Sequence, residues 1–316
     1  MMLSRTANSL FWTGRYIERL EHLSRYLNAQ YLSSADAPRA LNKHMALESM
    51  LSMARATDAY YERYNQIEDE KVILFLTIDD EYPFSMKNYL SLVRENSRGL
   101  RDNLSTEIWE TINRFYHSSA KYTADTFQKK GPYDYCKHIL NHVNIIKGVA
   151  DNTLLRNQSW SLIRAGINLE RTLQICKILI TKLEDINKLD TDELSPAVVG
   201  YHWASLLRSA GGFDMSRHYY HESPNRERGV EFLILNNKFP KSVLFNLKEL
   251  RQNLKIISDH QTVTPDSAEF FTGKLIAYMD YLMIDDIVEE GAEFLYKLEN
   301  QIIHIGKTLE KQYLQY

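Results

Sequence analysis

Leu10-Phe11-Trp12-Thr13-Gly14-Arg15-Tyr16-Ile17-Glu18-Arg19 returns half a chain later as Leu162-Ile163-Arg164-Ala165-Gly166-Ile167-Asn168-Leu169-Glu170-Arg171. Leu, Gly, Glu and Arg keep their register, at an offset of 152 residues. A second pair recurs at an offset of 157: Phe75-Leu76-Thr77-Ile78-Asp79-Asp80-Glu81-Tyr82-Pro83-Phe84-Ser85-Met86 and Phe232-Leu233-Ile234-Leu235-Asn236-Asn237-Lys238-Phe239-Pro240-Lys241-Ser242-Val243. Two matches in the same order, with offsets five residues apart, read as one unit duplicated with a small insertion. The period is too long for a solenoid. The expectation is two related halves, 1–157 and 158–316, packed about a pseudo-two-fold as one integrated domain. Any chemistry should then lie near that axis.

Around these anchors the hydrophobic pattern has the helical period, and strand alternation is nearly absent. Glycine and proline are sparse and cluster at boundaries. One long helix is expected from Leu3 to Ala29, and its counterpart from Ser159 to about Asn187. Others are expected over Pro38–Ala56, Glu70–Ile78, Pro83–Leu104, Ser105–Gln128, Tyr133–Val149, Ser195–Gly211, Arg228–Leu235, from Pro240, from Thr264-Pro265, and from Gly291 to about Tyr313. Proline suits a first helical turn and serine an N-cap. The short run Val72-Ile73-Leu74-Phe75-Leu76 could be a buried strand, but the repeat context favours helix. The fold class is all-α, a bundle of roughly twelve helices in two sets.

The bulk numbers exclude several classes. A chain of 316 residues with 44% hydrophobic and 25% charged residues has an ordinary globular composition and enough length for a large core. Its net charge of −3 argues against nucleic acid or an anionic membrane as a bulk partner. The two cysteines, Cys136 and Cys176, make no disulfide framework. No run of about 18 uncharged apolar residues is present, and the start does not read as a signal peptide. A cytoplasmic location is the expectation.

On a helical wheel the first helix is apolar over most of its circumference, so it should be largely buried. Asn8, Arg15, Glu18 and His22 share the remaining strip. Burying ionised groups costs several kcal/mol each unless they are paired, and Arg15 and Glu18 are spaced to pair. The second half keeps Gly166, Glu170 and Arg171 but changes Arg15 to Ile167 and His22 to Gln174. Two readings stay open. One is a buried Glu–Arg network that fixes helix register. The other is a polar cleft near the axis, with Glu18 and Glu170 as candidate acid and base and Asn8, Trp12, Arg15, Arg19, His22 and Arg171 as binding groups.

Arg94, Arg98 and Arg101 form a second basic stripe at helical spacing, suited to a carboxylate or phosphate partner or to a solvated face. His138 and His142 stand one turn apart, but Ile139 occupies the place of a metalloprotease glutamate and no third ligand follows. No metal and no cofactor are expected. The Tyr/His-rich stretch Arg217-His218-Tyr219-Tyr220-His221 reads as aromatic packing at a bend or as a ligand wall.

Leu3-Ser4-Arg5-Thr6-Ala7 followed by Trp12-Thr13-Gly14-Arg15-Tyr16-Ile17-Glu18-Arg19-Leu20-Glu21 resembles the opening signature of the bacterial alpha-E proteins, a family without an assigned function. The resemblance continues through Arg94-Glu95-Asn96-Ser97-Arg98, Ser105-Thr106-Glu107-Ile108-Trp109-Glu110, Leu169-Glu170-Arg171 and Phe239-Pro240-Lys241-Ser242, so it spans the chain. It departs at Lys241, where Arg is usual, and at Thr172, where Ala is usual. The family resemblance implies companionship with a circularly permuted ATP-grasp protein, itself similar to amide or peptide ligases, and with a transglutaminase-like protein. The resemblance supplies no catalytic role for Glu18 or Arg19. Three functions remain: an accessory protein that binds the ligase or a small peptide product, an enzyme of the same pathway using Glu18 and Glu170, and a structural scaffold.

Overall fold

The computed structural model describes residues 3–36, 43–189, 195–259 and 262–315. Among them sixteen α-helices and one π-helical turn account for the regular structure, and there is no strand. The first set is α1 Ser4–Asp36, α2 Lys43–Met53, α3 Thr57–Tyr61, α4 Asp69–Thr77, α5 Met86–Arg98, α6 Thr106–Ser119, α7 Ala124–Lys130 and α8 Tyr133–Thr153. The second is α9 Gln158–Asn187, α10 Pro196–Ser209, α11 Phe213–Tyr220, α12 Arg226–Ile234, α13 Val243–Ile257, α14 Ala268–Asp280, α15 Ile284–Glu290 and α16 Ala292–Leu309, which runs into the π turn Glu310–Leu314.

The all-α class holds, with more and shorter helices than twelve. The expected helix Ser105–Gln128 is two, α6 and α7, because the chain leaves the helix after Ser119 and restarts beyond Thr123. The Tyr/His-rich stretch is not a bend but the end of α11, closed by His221 at φ 57°. Prolines misplace three starts. Pro83 and Pro240 stand upstream of Ser85 and Ser242, whose hydroxyls accept from the N–H groups of Asn88 and Phe245 and so cap α5 and α13. Thr264-Pro265 likewise precedes the true cap, Ser267. Ser105 and Ser195 cap as expected. The expected start at Pro38 lies outside the described residues.

The Pro-x-Ser segments fold alike in both halves. Asp79 Oδ1 accepts from the N–H groups of Glu81 (2.8 Å) and Tyr82 (2.7 Å). Asn236 Oδ1 accepts from Lys238 and Phe239, both at 2.9 Å. Each Ser hydroxyl donates back to the carbonyl of that Asp or Asn. Phe75 stacks on Tyr82 at 4.1 Å, and Phe232 on Phe239 at 4.4 Å.

At the centre α1 crosses α9, and α5, α8 and α10 pack on α1 while α13 and α16 pack on α9. The two glycines of the quoted motif make the crossing possible. A Cβ on Gly14 would meet the carbonyl oxygen of Ile163 at 2.2 Å, and one on Gly166 would meet that of Phe11 at 2.1 Å. These contacts exchange under the 152-residue offset, since Phe11 and Ile163 are themselves a matched pair. Backbone lies against backbone there, so no larger side chain can be accommodated by rotation.

Candidate functional site

That close crossing brings each Glu of the motif to an Arg of the opposite helix. Glu18 accepts from Arg171 Nε at 2.5 Å and Nη2 at 2.9 Å. Glu170 accepts from Arg19 Nε at 2.8 Å. Glu18 and Glu170 are both 0% exposed. Glu18-Arg19 and Glu170-Arg171 thus pair crosswise, each dipeptide supplying acceptor and donor to the other.

The surroundings of the two pairs differ. Glu18 also binds Lys147 of α8. One turn on, the buried Glu21 takes Lys147, Lys241 and Arg25, the last at 2.8 Å. Burial alone would push the Glu18 carboxyl up, but Arg171 and then Lys147 override it and hold it well below the usual carboxylate range. Glu21 is depressed as well: Lys147 and Lys241 outweigh burial and the neighbouring Glu18. Burial pulls the Lys241 amine down to about 8, against the attraction of Glu21. Arg171 completes its donors on the Pro240 carbonyl (3.1 Å) and Asn246 Oδ1 (3.4 Å).

Around Glu170, Arg15 Nε donates at 2.7 Å and Gln174 Nε2 at 2.7 Å. Arg15 reaches on to Glu310 in the π turn at 3.3 Å. Burial would raise the Glu170 carboxyl, but Arg15 and Arg19 hold it far below the usual range. The guanidinium of Arg15 lies 4.5 Å from the Trp12 ring, and that of Arg19 lies 5.5 to 5.8 Å from Tyr89, Trp12 and Tyr16. Cations over aromatic faces are favoured, which accounts for Trp12 beside these two arginines.

Of the two readings left open by the sequence, the geometry is that of a buried Glu–Arg network rather than a single cleft of paired carboxylates: two separate networks share no donor. Each carboxylate is sealed in protein. His22 is buried beside Glu18, its Nε2 3.2 Å from Oε1, yet neither ring nitrogen has a well-aligned hydrogen bond. Burial depresses its pKa against the pull of Glu18, which leaves the ring neutral at pH 7. Asn8 is exposed and does not join the networks.

Nor does the second basic stripe. Arg94 donates to Asn113 Oδ1 at 2.9 Å and lies 4.7 Å from the Tyr116 ring. Arg101 lies 4.6 Å from Trp109, and the exposed Arg98 pairs with Glu95 at 3.3 Å. Arg94 and Arg101 thus pack against α6, while Arg98 pairs within α5. His142 stacks on Phe115 while His138 packs against both rings at a tilt, and no cluster of metal-ligating side chains exists among the described residues. Burial pushes the thiol of Cys136 up to about 12 and that of Cys176 higher still, so both are inert packing groups.

Several network members carried no legible signal. Lys147 sits on α8 with no motif around it, and Gln174 differs from its counterpart His22. Lys241 was foreseeable, since it lies in the repeated Pro-x-Ser segment.

An all-helical chain with Glu-Arg dipeptides paired at its centre agrees with the family that comparison with known proteins identifies. The chain belongs to the Alpha-E family, described as a predicted alpha-helical domain with a conserved ER motif, which matches residues 2–314. It is similar to an uncharacterized protein of Mycobacterium bovis, 21% identical over 272 residues covering 79% of this chain. Counterparts in two strains of Mycobacterium tuberculosis are 21% and 20% identical over the same length. The chain spans 29% of the length of each of these relatives. No solved structure matches it. No helix among the described residues is long and apolar enough to cross a membrane.

Proposed function

We propose that the protein is a non-catalytic helical accessory of a peptide- or amide-forming system in the cytoplasm, binding a circularly permuted ATP-grasp ligase or its peptide product. In this reading the two halves descend from one duplicated unit, and a transglutaminase-like protein is a further member of the system. The carrying observation is the state of Glu18 and Glu170. A general acid must hold a proton near working pH and a base must reach its substrate. These carboxylates have no exposed surface, and their cationic partners depress both pKa values strongly. Such groups suit architecture: they fix how α1 and α9 cross, and so how the outer helices are presented. The length of the mycobacterial relatives is consistent with a module that works joined to other segments.

The test is purification of the intact protein from its native host at natural abundance, with mass spectrometry of what accompanies it. A stoichiometric ATP-grasp ligase is the expected outcome. Recovery of the chain alone, with ligase activity in the extract unaffected by its deletion, removes the accessory role. The enzyme alternative requires product formation by the purified protein without a ligase.

A further inference from the structure

The Glu170 side opens where the Glu18 side is filled. A cavity of about 200 Å³ lies between α1, α2, α9 and the start of α5. Its polar lining is Arg19, Arg55, Lys177, Gln174 and Tyr89, with Phe84 on its wall. At roughly 30 Å³ per water molecule, it has room for a group the size of one amino acid. Carboxylates stand near it without lining it: Glu170 holds Arg19 and Glu299 holds Arg55 at 3.1 Å. Lys177 has no carboxylate within ion-pair distance among the described residues, and burial depresses its amine despite the pull of Glu170 and Glu299.

The matching place on the other side shows what fits. Lys177 stands at the offset of Arg25, and Phe84 at that of Lys241. Arg25 and Lys241 both grip the Glu21 carboxylate. Glu21 itself corresponds to Leu173, so on the cavity side one of the two cations remains, as Lys177, while the acid is gone and Phe84 stands in place of the second cation.

Arg55 adds an independent sign. It follows α2 at φ 53°, as Gly211 follows α10 at φ 68°. The closing hydrogen bonds correspond: Arg55 N to Ser52 O and Ala56 N to Leu51 O, against Gly211 N to Arg208 O and Gly212 N to Leu207 O. Glycine adopts this conformation readily and arginine does not. A long cation kept in a left-handed turn beside a cavity is strain placed at a binding position.

We infer that the cavity lined by Arg19, Arg55 and Lys177 binds the carboxylate of a small organic acid or peptide end, taking the place Glu21 fills on the opposite side. Phe84, 53% exposed, and Tyr89 pack against the body of the ligand. The assignment goes beyond the accessory role and requires no partner protein, so the two can fail separately.

The experiment is calorimetric titration of the purified full chain with hippurate, a capped glycine with a free carboxylate and a phenyl ring. Its carboxamide and inorganic phosphate serve as controls. Hippurate should bind saturably and the controls should not. Arg55→Gly and Lys177→Met should each weaken binding about tenfold or more, the loss of one charge-assisted contact. Lys177→Met should melt no lower than the native protein, since it removes a buried charge that has no ion-pair partner among the described residues. Arg55→Gly relieves a left-handed arginine but gives up the ion pair to Glu299, so its folded state is checked by its melting curve before titration. Lys274→Met, on α14, should bind as the native chain does. Absence of hippurate binding, equal binding of the carboxamide or phosphate, or native affinity in both variants overturns the assignment.

Discussion

The two sides of the α1–α9 crossing start from the same dipeptide and end differently. On the Glu18 side the carboxylate meets Arg171 and Lys147, and Glu21 closes the cluster with Lys147, Lys241 and Arg25. On the Glu170 side two arginines and a glutamine complete the carboxylate, and the next layer is a cavity. Glu-Arg is common to both, so it belongs to the crossing itself. The neighbours that differ, Glu21 against Leu173 and Lys241 against Phe84, decide whether a side is solid or open. Where the two sides of the crossing share the Glu-Arg pairing, function is to be sought in what they do not share.

The largest expected effect breaks the pairing on each side in turn. Glu18→Gln leaves Arg171 and Lys147 buried against a neutral amide and should cost about 3–5 kcal/mol, the usual loss for one partner of a buried pair. Glu170→Gln should cost less, about 1–3 kcal/mol, because Arg15 can fall back on Glu310 and Arg19 borders the cavity. Urea unfolding of both variants measures the difference. Equal losses would mean that the open side is as tightly constrained as the closed one.

The glycines test what the sides share. Gly14→Ala and Gly166→Ala each place a Cβ against a facing carbonyl oxygen, at 2.2 and 2.1 Å. The helices must part, at a cost of about 1–3 kcal/mol, partly offset by alanine's better helix propensity. The two losses should match within about 0.5 kcal/mol. A clear inequality would show that the crossing is not balanced as its contacts suggest.

These features were legible to different depths. The helical class, the central helices and the importance of Glu18, Arg19, Glu170 and Arg171 follow from periodicity and the internal repeat, because both are local or self-referential signals. The crosswise partners were not, since a wheel shows which residues share a face but not which helix arrives there. Lys147 and Lys177 look like ordinary surface lysines in a charged chain. Arg55 was invisible because the sequence does not print φ. The sequence left a buried Glu–Arg network and a polar cleft both open, and it could not choose between them for a geometric reason. At a crossing, residues one turn past the contact diverge to opposite sides, which a single helical wheel does not show.

Acid should separate the sides more gently. His22 sits on the Glu18 side, and Gln174 is its counterpart. The folded-state pKa of His22 lies below 6.5 because of burial, so the unfolded chain binds its proton first. Stability is then full above about pH 6.5 and falls as pH drops through and below it. His138 and His202, both held down to about 4 by burial, add losses in the window from 6.5 to about 4. The carboxylates, depressed from 4.5, contribute only below that. His22→Gln should flatten the decline of the urea midpoint between pH 7.5 and 5 without abolishing it. An unchanged slope would mean that His22 binds its proton equally well in the fold and in the unfolded chain, so that burial does not depress it.

The smallest effects belong to the arginine stripe, outside the crossing altogether. Arg94→Ala removes a hydrogen bond to Asn113 and a cation over Tyr116, worth together about 1 kcal/mol at a half-buried site. Arg98→Ala removes an ion pair whose members are 62% and 54% exposed, and such pairs contribute between nothing and about 1 kcal/mol. Arg94 should therefore cost measurably more than Arg98, and both far less than Glu18. If Arg98→Ala proved the costlier, the stripe would have a duty its contacts within the chain do not account for, and α5 would replace the crossing as the face to examine for a partner.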